Sequence, residues 1–219
     1  MKKILIAVAV IVVAFLGFVA TRPNTYHVER SAVVAAPADV VYPELVTLEG
    51  FTHWSPWEHR DPAMKKQFTG PKEGVGQVYS WQGTDKVGEG EMKIIAIDPA
   101  SVKSTVHFMK PFDSTSTITW SVVPDGAGSK VTWAMDGDAN FGAKLMGVFT
   151  SMDKMIGSDF DEGLANLQKV ALADQAKAAA DKAAADKAAA DAAAAKASAP
   201  PDAPPPAPGA TVPVAPAKG

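Results

Sequence analysis

The sequence predicts an α+β domain in which a curved antiparallel sheet wraps a long C-terminal helix. Three observations carry this. Phe141, Leu145, Phe149, Met152, Ile156, Phe160, Leu164 and Leu167 recur every three or four residues, which sets them on one stripe of a helix over Phe141–Val170. From Gly74 to Asp136 the pattern switches to short runs of alternating apolar and polar residues separated by turn signals. A single amphipathic helix cannot bury its own stripe, so the apolar face of the sheet is its natural receiver.

Met1-Lys2-Lys3 leads into seventeen residues, Ile4–Ala20, without a charge. At 1.5 Å per residue they reach roughly 25 Å, the short end of a membrane span. A cleaved signal peptide is the alternative, but cleavage after Ala20 would place Phe18 where a small residue is required. An anchor over residues 1–22 is therefore expected. The short basic N-terminus favours a cytoplasmic start, with the domain on the extracytoplasmic, periplasmic side of the cell membrane.

Tyr26 to Val34 reads as a first strand, and Pro37-Ala38-Asp39 opens a helical stretch. Phe51 to Gly70, which holds Trp54 and Trp57, reads as loop-rich. Strands are expected near 66–69, 76–82, 88–97, 101–109, 114–123 and 129–136. The breaks fall at Gly83-Thr84-Asp85, Asp98-Pro99, Pro111 and Pro124-Asp125-Gly126. Asn140 or Asp138 can cap the C-terminal helix.

After Val170, Lys177 to Ala190 repeats K-A-A-A-D with lysine–aspartate pairs four apart. Its only apolar side chain is alanine, so residues 174–198 read as a solvated helical spacer. Residues 199–219 are Pro/Ala-rich and read as a disordered or polyproline-like tail, and spacer and tail together could reach a cell-envelope partner.

A formal net charge of −3 provides no basic field for nucleic acid. Absence of cysteine excludes disulfides, thiolate metal sites, cysteine catalysis and a lipidated cysteine anchor. No G-x-S-x-G, phosphate-loop or dinucleotide-binding motif occurs, so no cofactor is expected. Gly126-Ala127-Gly128 is a hairpin turn rather than a phosphate cradle. His53, Glu58, His59 and Asp61 are the one concentrated titratable group. Their spacing fits no metal motif, and a salt-bridged loop involving Arg60 is the default. His27 and His107 read as solvent-facing on strands.

Trp54-Ser55-Pro56-Trp57 with Asp61-Pro62 resembles the SRPBCC family of polyketide cyclase/dehydrase and lipid-transport proteins, in the START/Bet v 1-like superfamily. Lys110-Pro111-Phe112, Val131 to Gly137 and Met152 to Gly157 are similar to further blocks of that family, in the same order. The resemblance covers roughly Thr25 to Ala173, a domain of residues 25–173. It implies a helix-grip fold with an apolar cavity between sheet and helix, and it supplies no catalytic residue.

Ligand-pocket candidates are Trp54, Trp57, Trp120, Trp133 and Phe108, with Phe141, Leu145, Phe149, Met152 and Ile156 from the helix. Trp120 and Trp133 suit either core or pocket wall. Trp54 and Trp57 could cap a cavity mouth, touch headgroups or anchor inside the fold. Gly142, Gly147, Gly157 and Gly163 interrupt the helix, each costing about 1 kcal/mol against alanine. They either admit the sheet closely or leave room for a guest. The expected role is a membrane-tethered module that binds a hydrophobic, lipid-like small molecule. An enzyme using the same cavity, with His53, His59, His107 or Tyr79 as its polar group, and a non-catalytic envelope scaffold are the alternatives.

Overall fold

A computed structural model describes residues 1–111 and 113–197. Phe112 and the Pro/Ala-rich tail, residues 198–219, lie outside the described residues. The chain forms α1 (Lys2–Ala20), β1 (Thr25–Val34), α2 (Ala38–Val41), α3 (Leu48–Trp54) and α4 (Pro56–Arg60). Then come β2 (Lys65–Thr69), β3 (Val78–Gln82), β4 (Glu89–Asp98), β5 (Ser101–Lys110), β6 (Ser114–Asp125) and β7 (Gly128–Asp138). The last elements are α5 (Phe141–Met146) and α6 (Met152–Ala197).

The seven strands make one antiparallel sheet in the order β1-β7-β6-β5-β4-β3-β2. Their register defines two ends. Thr25 lies opposite Asp138, Ser116 opposite Gly137, and Glu89 opposite Lys110. We call this the proximal end, because β1 enters the sheet there directly from α1. At the distal end Gly126 and Ala127 join β6 to β7, and Gly126 takes the positive φ (60°) that a tight hairpin asks of its first central residue.

The helix predicted over Phe141–Val170 is two helices. Gly147 ends α5, whose start is capped by Asn140 accepting from Ala143 N–H at 2.9 Å. Ser151 Oγ accepts from Lys154 N–H at 3.2 Å and starts α6. The stop and start have local causes: a poor helix former, Gly147, is followed by a stretch containing the β-branched Val148 and Thr150 and then by a capping serine. Phe141 and Phe149 are consequently exposed, Phe149 at 78%. The loop expected over Phe51–Gly70 is instead mostly α3, α4 and β2. Thr47 caps α3 by accepting from Gly50 N–H at 2.9 Å.

The core lies between the concave sheet face and α6, where Phe160, Leu164, Leu167 and Ala171 are buried. Phe160 stacks on Trp133 with ring centroids 4.1 Å apart and planes 8° from parallel. Arg60 on α4 donates to both carboxylate oxygens of Asp159, at 2.9 and 2.6 Å. Arg30 on β1 reaches Asp153 at 2.7 Å and Asp161 at 3.2 Å. Two glycines make these contacts possible. A Cβ on Gly163 would sit 2.6 Å from the Trp133 ring, and one on Gly157 would sit 2.1 Å from the Arg30 guanidinium.

Thermal unfolding of the chain tests these glycine contacts. Gly163→Ala should destabilise by about 1–3 kcal/mol, because Trp133 is fully buried and cannot yield. Gly142→Ala, whose added methyl meets only the Asn140 side chain at 3.4 Å, should gain about 0.5–1 kcal/mol from helix propensity.

Candidate functional site

The grip space is filled over part of its length and empty over the rest. Phe51, Trp54, Trp120 and Trp133 form an aromatic cluster, largely edge-to-face, with centroids 5.0–6.1 Å apart. Towards the distal end it continues into Ile94, Val102, Leu45, Leu48 and Leu164. Towards the proximal end the inward positions next along the strands carry other side chains: Met135 follows Trp133 on β7, and Ile118 precedes Trp120 on β6. With Met92, Val106 and Phe108 they wall a cavity of about 410 Å³. Met152, Met155, Ile156 and Phe160 of α6 form its opposite side. That volume is in the range of small-molecule sites, and flexible methionines suit an irregular apolar guest.

Three polar groups break the apolar lining from within. Tyr26 Oη and Ser116 Oγ share a hydrogen bond of 2.7 Å, and Gly137 leaves space for the phenol. Tyr79 O–H donates to Glu58 Oε1 at 2.9 Å, and Lys66 Nζ donates to Glu58 Oε2 at 2.6 Å. Burial first, and the Glu58 carboxylate second, push the Tyr79 hydroxyl well above the ordinary phenol range. Tyr79 therefore stays a neutral hydroxyl whose proton is committed to Glu58 and whose oxygen can accept from a ligand. Ser55, buried between α3 and α4, completes the set.

The rim lies at the proximal end. The β3–β4 loop contributes Asp85 to Gly88, and the β5–β6 connection contributes Lys110, Pro111 and Ser114. Asp61 holds the first loop, its Oδ2 accepting from Thr84 N–H at 2.7 Å. Those hydrogen bonds from Thr84 keep the Asp61 carboxyl below its usual range. Gly88 takes φ +68° and packs against the Lys110 carbonyl, where a Cβ would come within 2.3 Å. Trp81 lies over Gly90 and donates to the Val87 carbonyl at 3.1 Å, tying loop to strand.

Of the ten candidates, Trp57, Phe108, Met152 and Ile156 line the cavity. Trp54, Trp120 and Trp133 do not; they are fully buried in the aromatic cluster. Trp54 and Trp57 sit on α3 and α4 rather than in a loop. Phe141, Leu145 and Phe149 lie outside the cavity wall because the chain breaks between α5 and α6. Gly157 and Gly163 admit Arg30 and Trp133, so they serve close approach rather than a guest. Sequence reasoning left Met92, Val106, Ile118 and Met135 off the candidate set, although alternation gave each of them an apolar strand face. Tyr79 and Trp81, two residues apart on β3, both line the cavity.

The titratable segment disperses. His53 pairs with Glu44 at 2.9 Å, Arg60 turns to α6, Glu58 enters the cavity network and Asp61 holds the rim. His59 is exposed, and His107 lies 3.4 Å from Asp113 outside the cavity wall. Among the described residues no three histidine or carboxylate side chains gather as metal ligands.

A seven-stranded antiparallel sheet gripping a long C-terminal helix around an apolar cavity defines a helix-grip protein. Residues 25–172 match the family model described as polyketide cyclase / dehydrase and lipid transport, and the chain belongs to that family. No curated protein matches the chain. Among solved structures, it is similar to a norcoclaurine synthase point mutant from Thalictrum flavum, bound to a transition-state analogue. That likeness has a TM-score of 0.50 at 16% identity and covers 69% of this chain and 96% of the other. A protein from Thermus thermophilus aligns at 17% identity and TM-score 0.49, over 68% of this chain and 98% of its own. One from Chromobacterium violaceum aligns at 14% and 0.49, over 68% and 98%.

The rim contact carries its own test. Asp61→Ala should raise amide exchange across Gly83–Gly88 at least tenfold, read by hydrogen-exchange mass spectrometry, while leaving the aromatic cluster protected. The Asp61 carboxyl is depressed in the folded state. Its contribution is thus fully present above the unfolded value near 3.8 and is lost as pH falls through the lower folded value. In the parent chain the rim should stay ordered at about pH 4 and loosen only below it.

Proposed function

We propose that this chain is a membrane-anchored binding module for a hydrophobic or amphipathic small molecule, held in the cavity between sheet and α6. The observation that carries the reading is the 410 Å³ space, walled by aliphatic, methionine and aromatic side chains and provided with a few convergent hydroxyls. A long apolar body with a hydroxyl head fits that lining: the body lies among Met92, Met135 and Ile156, and the head donates to Tyr26 or Tyr79. Membership of a family described by lipid transport supports the same class of ligand.

The anchor rests on α1. Its 19 residues reach about 28 Å as a helix, and its side chains are exposed from end to end apart from Val19. An exposed helix of that composition is stable in hydrocarbon and not in water. A signal sequence has the same length and composition. The poor cleavage site at Ala20 and the seating of Val19 within the fold favour retention.

A second reading, an enzyme of cyclase, dehydratase or hydrolase type, draws support from Tyr79 alone. Of the four polar candidates, it is the one in the cavity wall. Its proton is held by Glu58, which suits positioning of a ligand better than proton transfer.

Native mass spectrometry of the full chain from detergent should reveal a copurified apolar mass. Met135→Trp, which grows into the cavity, should abolish it, and a saturating ligand should raise the stability of the parent by about 2.7 kcal/mol at roughly a hundredfold excess over Kd. No bound mass and no uptake of fatty acid, isoprenoid alcohol or apolar dye would overturn the reading. Tyr79→Phe should weaken a hydroxylated ligand about five- to tenfold, as expected for one lost hydrogen bond, and leave an alkane-like dye unaffected.

A further inference from the structure

We infer that the mouth of the cavity is seated on the bilayer surface, with the Phe141–Phe149 segment immersed at the headgroup boundary as its foot. This rests on the anchor reading above and adds to it the side of the domain that meets the membrane.

The first observation is length. Ala20 ends α1 and Thr25 begins β1, so at most five residue steps, about 17 Å of extended chain, separate the helix from the proximal end of the sheet. The linker is not free to extend. Ala139 N–H donates to the Asn24 carbonyl at 2.7 Å, and Lys144 Nζ bonds Asn24 Oδ1 and reaches the Ala20 carbonyl at 3.4 Å. α5 packs directly on α1, where Val19 is buried. The proximal end is therefore held against the point at which the chain leaves the membrane.

The second observation is polarity. The segment next to that point exposes Phe141 (49%), Met146 (43%) and Phe149 (78%). Outside α1, no other stretch of the described residues presents two exposed phenylalanines. Exposed apolar side chains of this size gain free energy on transfer from water to a bilayer interface. Arg22, exposed two residues beyond the end of α1, supplies a basic side chain at the level where lipid phosphates would lie.

The third observation is where the cavity opens. Lys86, Val87 and Pro111 lie on proximal connections, Lys110 and Ser114 are the strand ends beside them, and Met155, half-exposed three residues into α6, lines the same cavity. The opening and the apolar foot share one end of the sheet. An apolar guest thus passes between the leaflet and Met152, Met155 and Ile156 without crossing bulk water.

The sequence contains no cysteine, so single thiols report position cleanly. Full-length chains carrying Phe149→Cys, Lys86→Cys or Val123→Cys, the last being exposed near the distal hairpin, are labelled with an environment-sensitive nitrobenzoxadiazole dye. They are reconstituted into phosphatidylcholine/phosphatidylglycerol vesicles with or without a headgroup nitroxide lipid. The expected result is blue-shifted emission at position 149, at least twofold quenching at 149 and 86, and no quenching at 123. Alkaline carbonate extraction of the same vesicles separates the two readings. Retention of the chain with 149 and 86 no more quenched than 123 overturns the seating and leaves the anchor standing. Release by carbonate overturns the anchor and the seating together.

Discussion

The stacking of Phe160 on Trp133 fixes where everything else in the domain can be. The contact is 4.1 Å between nearly parallel rings, with the α6 backbone drawn in at Gly163 until no Cβ fits. Glycine inside a helix costs about 1 kcal/mol, and its return here is dispersion and burial across a large aromatic face. Once α6 touches the sheet at this point, the flanking ion pairs of Arg30 and Arg60 set its rotation. The bidentate Arg60–Asp159 pair is the stronger geometric constraint of the two, since it is partly shielded from solvent.

A helix that contacts a curved sheet closely at one place diverges from it elsewhere unless side chains grow to compensate. On the distal side they do: Trp54, Leu45, Leu48, Leu164 and Leu167 are all fully buried. On the proximal side the inward residues are no larger than methionine on β4 and β7, and the helix offers Met152, Met155 and Ile156. The cavity is therefore the geometric complement of the aromatic cluster. The tryptophans are what hold it open, without lining it themselves, apart from Trp57 and Trp81.

This division explains what could be read from the sequence. The sheet was legible because alternation in Met92–Ala96, Val102–Phe108, Ile118–Val122 and Val131–Met135 has a period of two and each run ends at a turn residue. The stripe from Met152 to Leu167 was legible for the same kind of reason. The break between α5 and α6 was written locally, in Gly147 and Ser151, but an unbroken spacing of apolar residues through Phe149 outweighed it. Periodicity reports which residues share a face, and says nothing of whether that face has a partner; Phe141 and Phe149 keep the phase of the stripe and lie beyond the sheet's reach. The inward tryptophans posed the converse problem. Alternation placed Trp120 and Trp133 on the concave face, yet whether that face is packed or hollow at a given residue depends on Phe51 and Trp54, which arrive from a part of the chain with no legible period. The roles of Asp61, which holds the rim loop, and of Gln77, whose side-chain oxygen accepts from Leu48 N–H, were not legible for the same reason. Their partners, Thr84 N–H and Leu48 N–H, are 23 and 29 residues distant and carry no side-chain signature.

The polar groups argue about chemistry more directly than any motif does. A catalytic carboxylate has to be free to take or give a proton at the reacting atom. Glu58 has both oxygens engaged, by Tyr79 and Lys66, before any ligand arrives. The phenol of Tyr79 is driven away from ionisation by burial and by the same neighbour. Tyr26 is likewise pushed up, by burial, and is satisfied by Ser116. What these groups retain is acceptor capacity at fixed positions in an apolar wall, with one uncommitted proton on the Tyr26–Ser116 pair. That arrangement orients a guest by one or two hydrogen bonds while most of its contact area remains apolar. On the proposed reading, such a lining would discriminate between guests by length and head-group position.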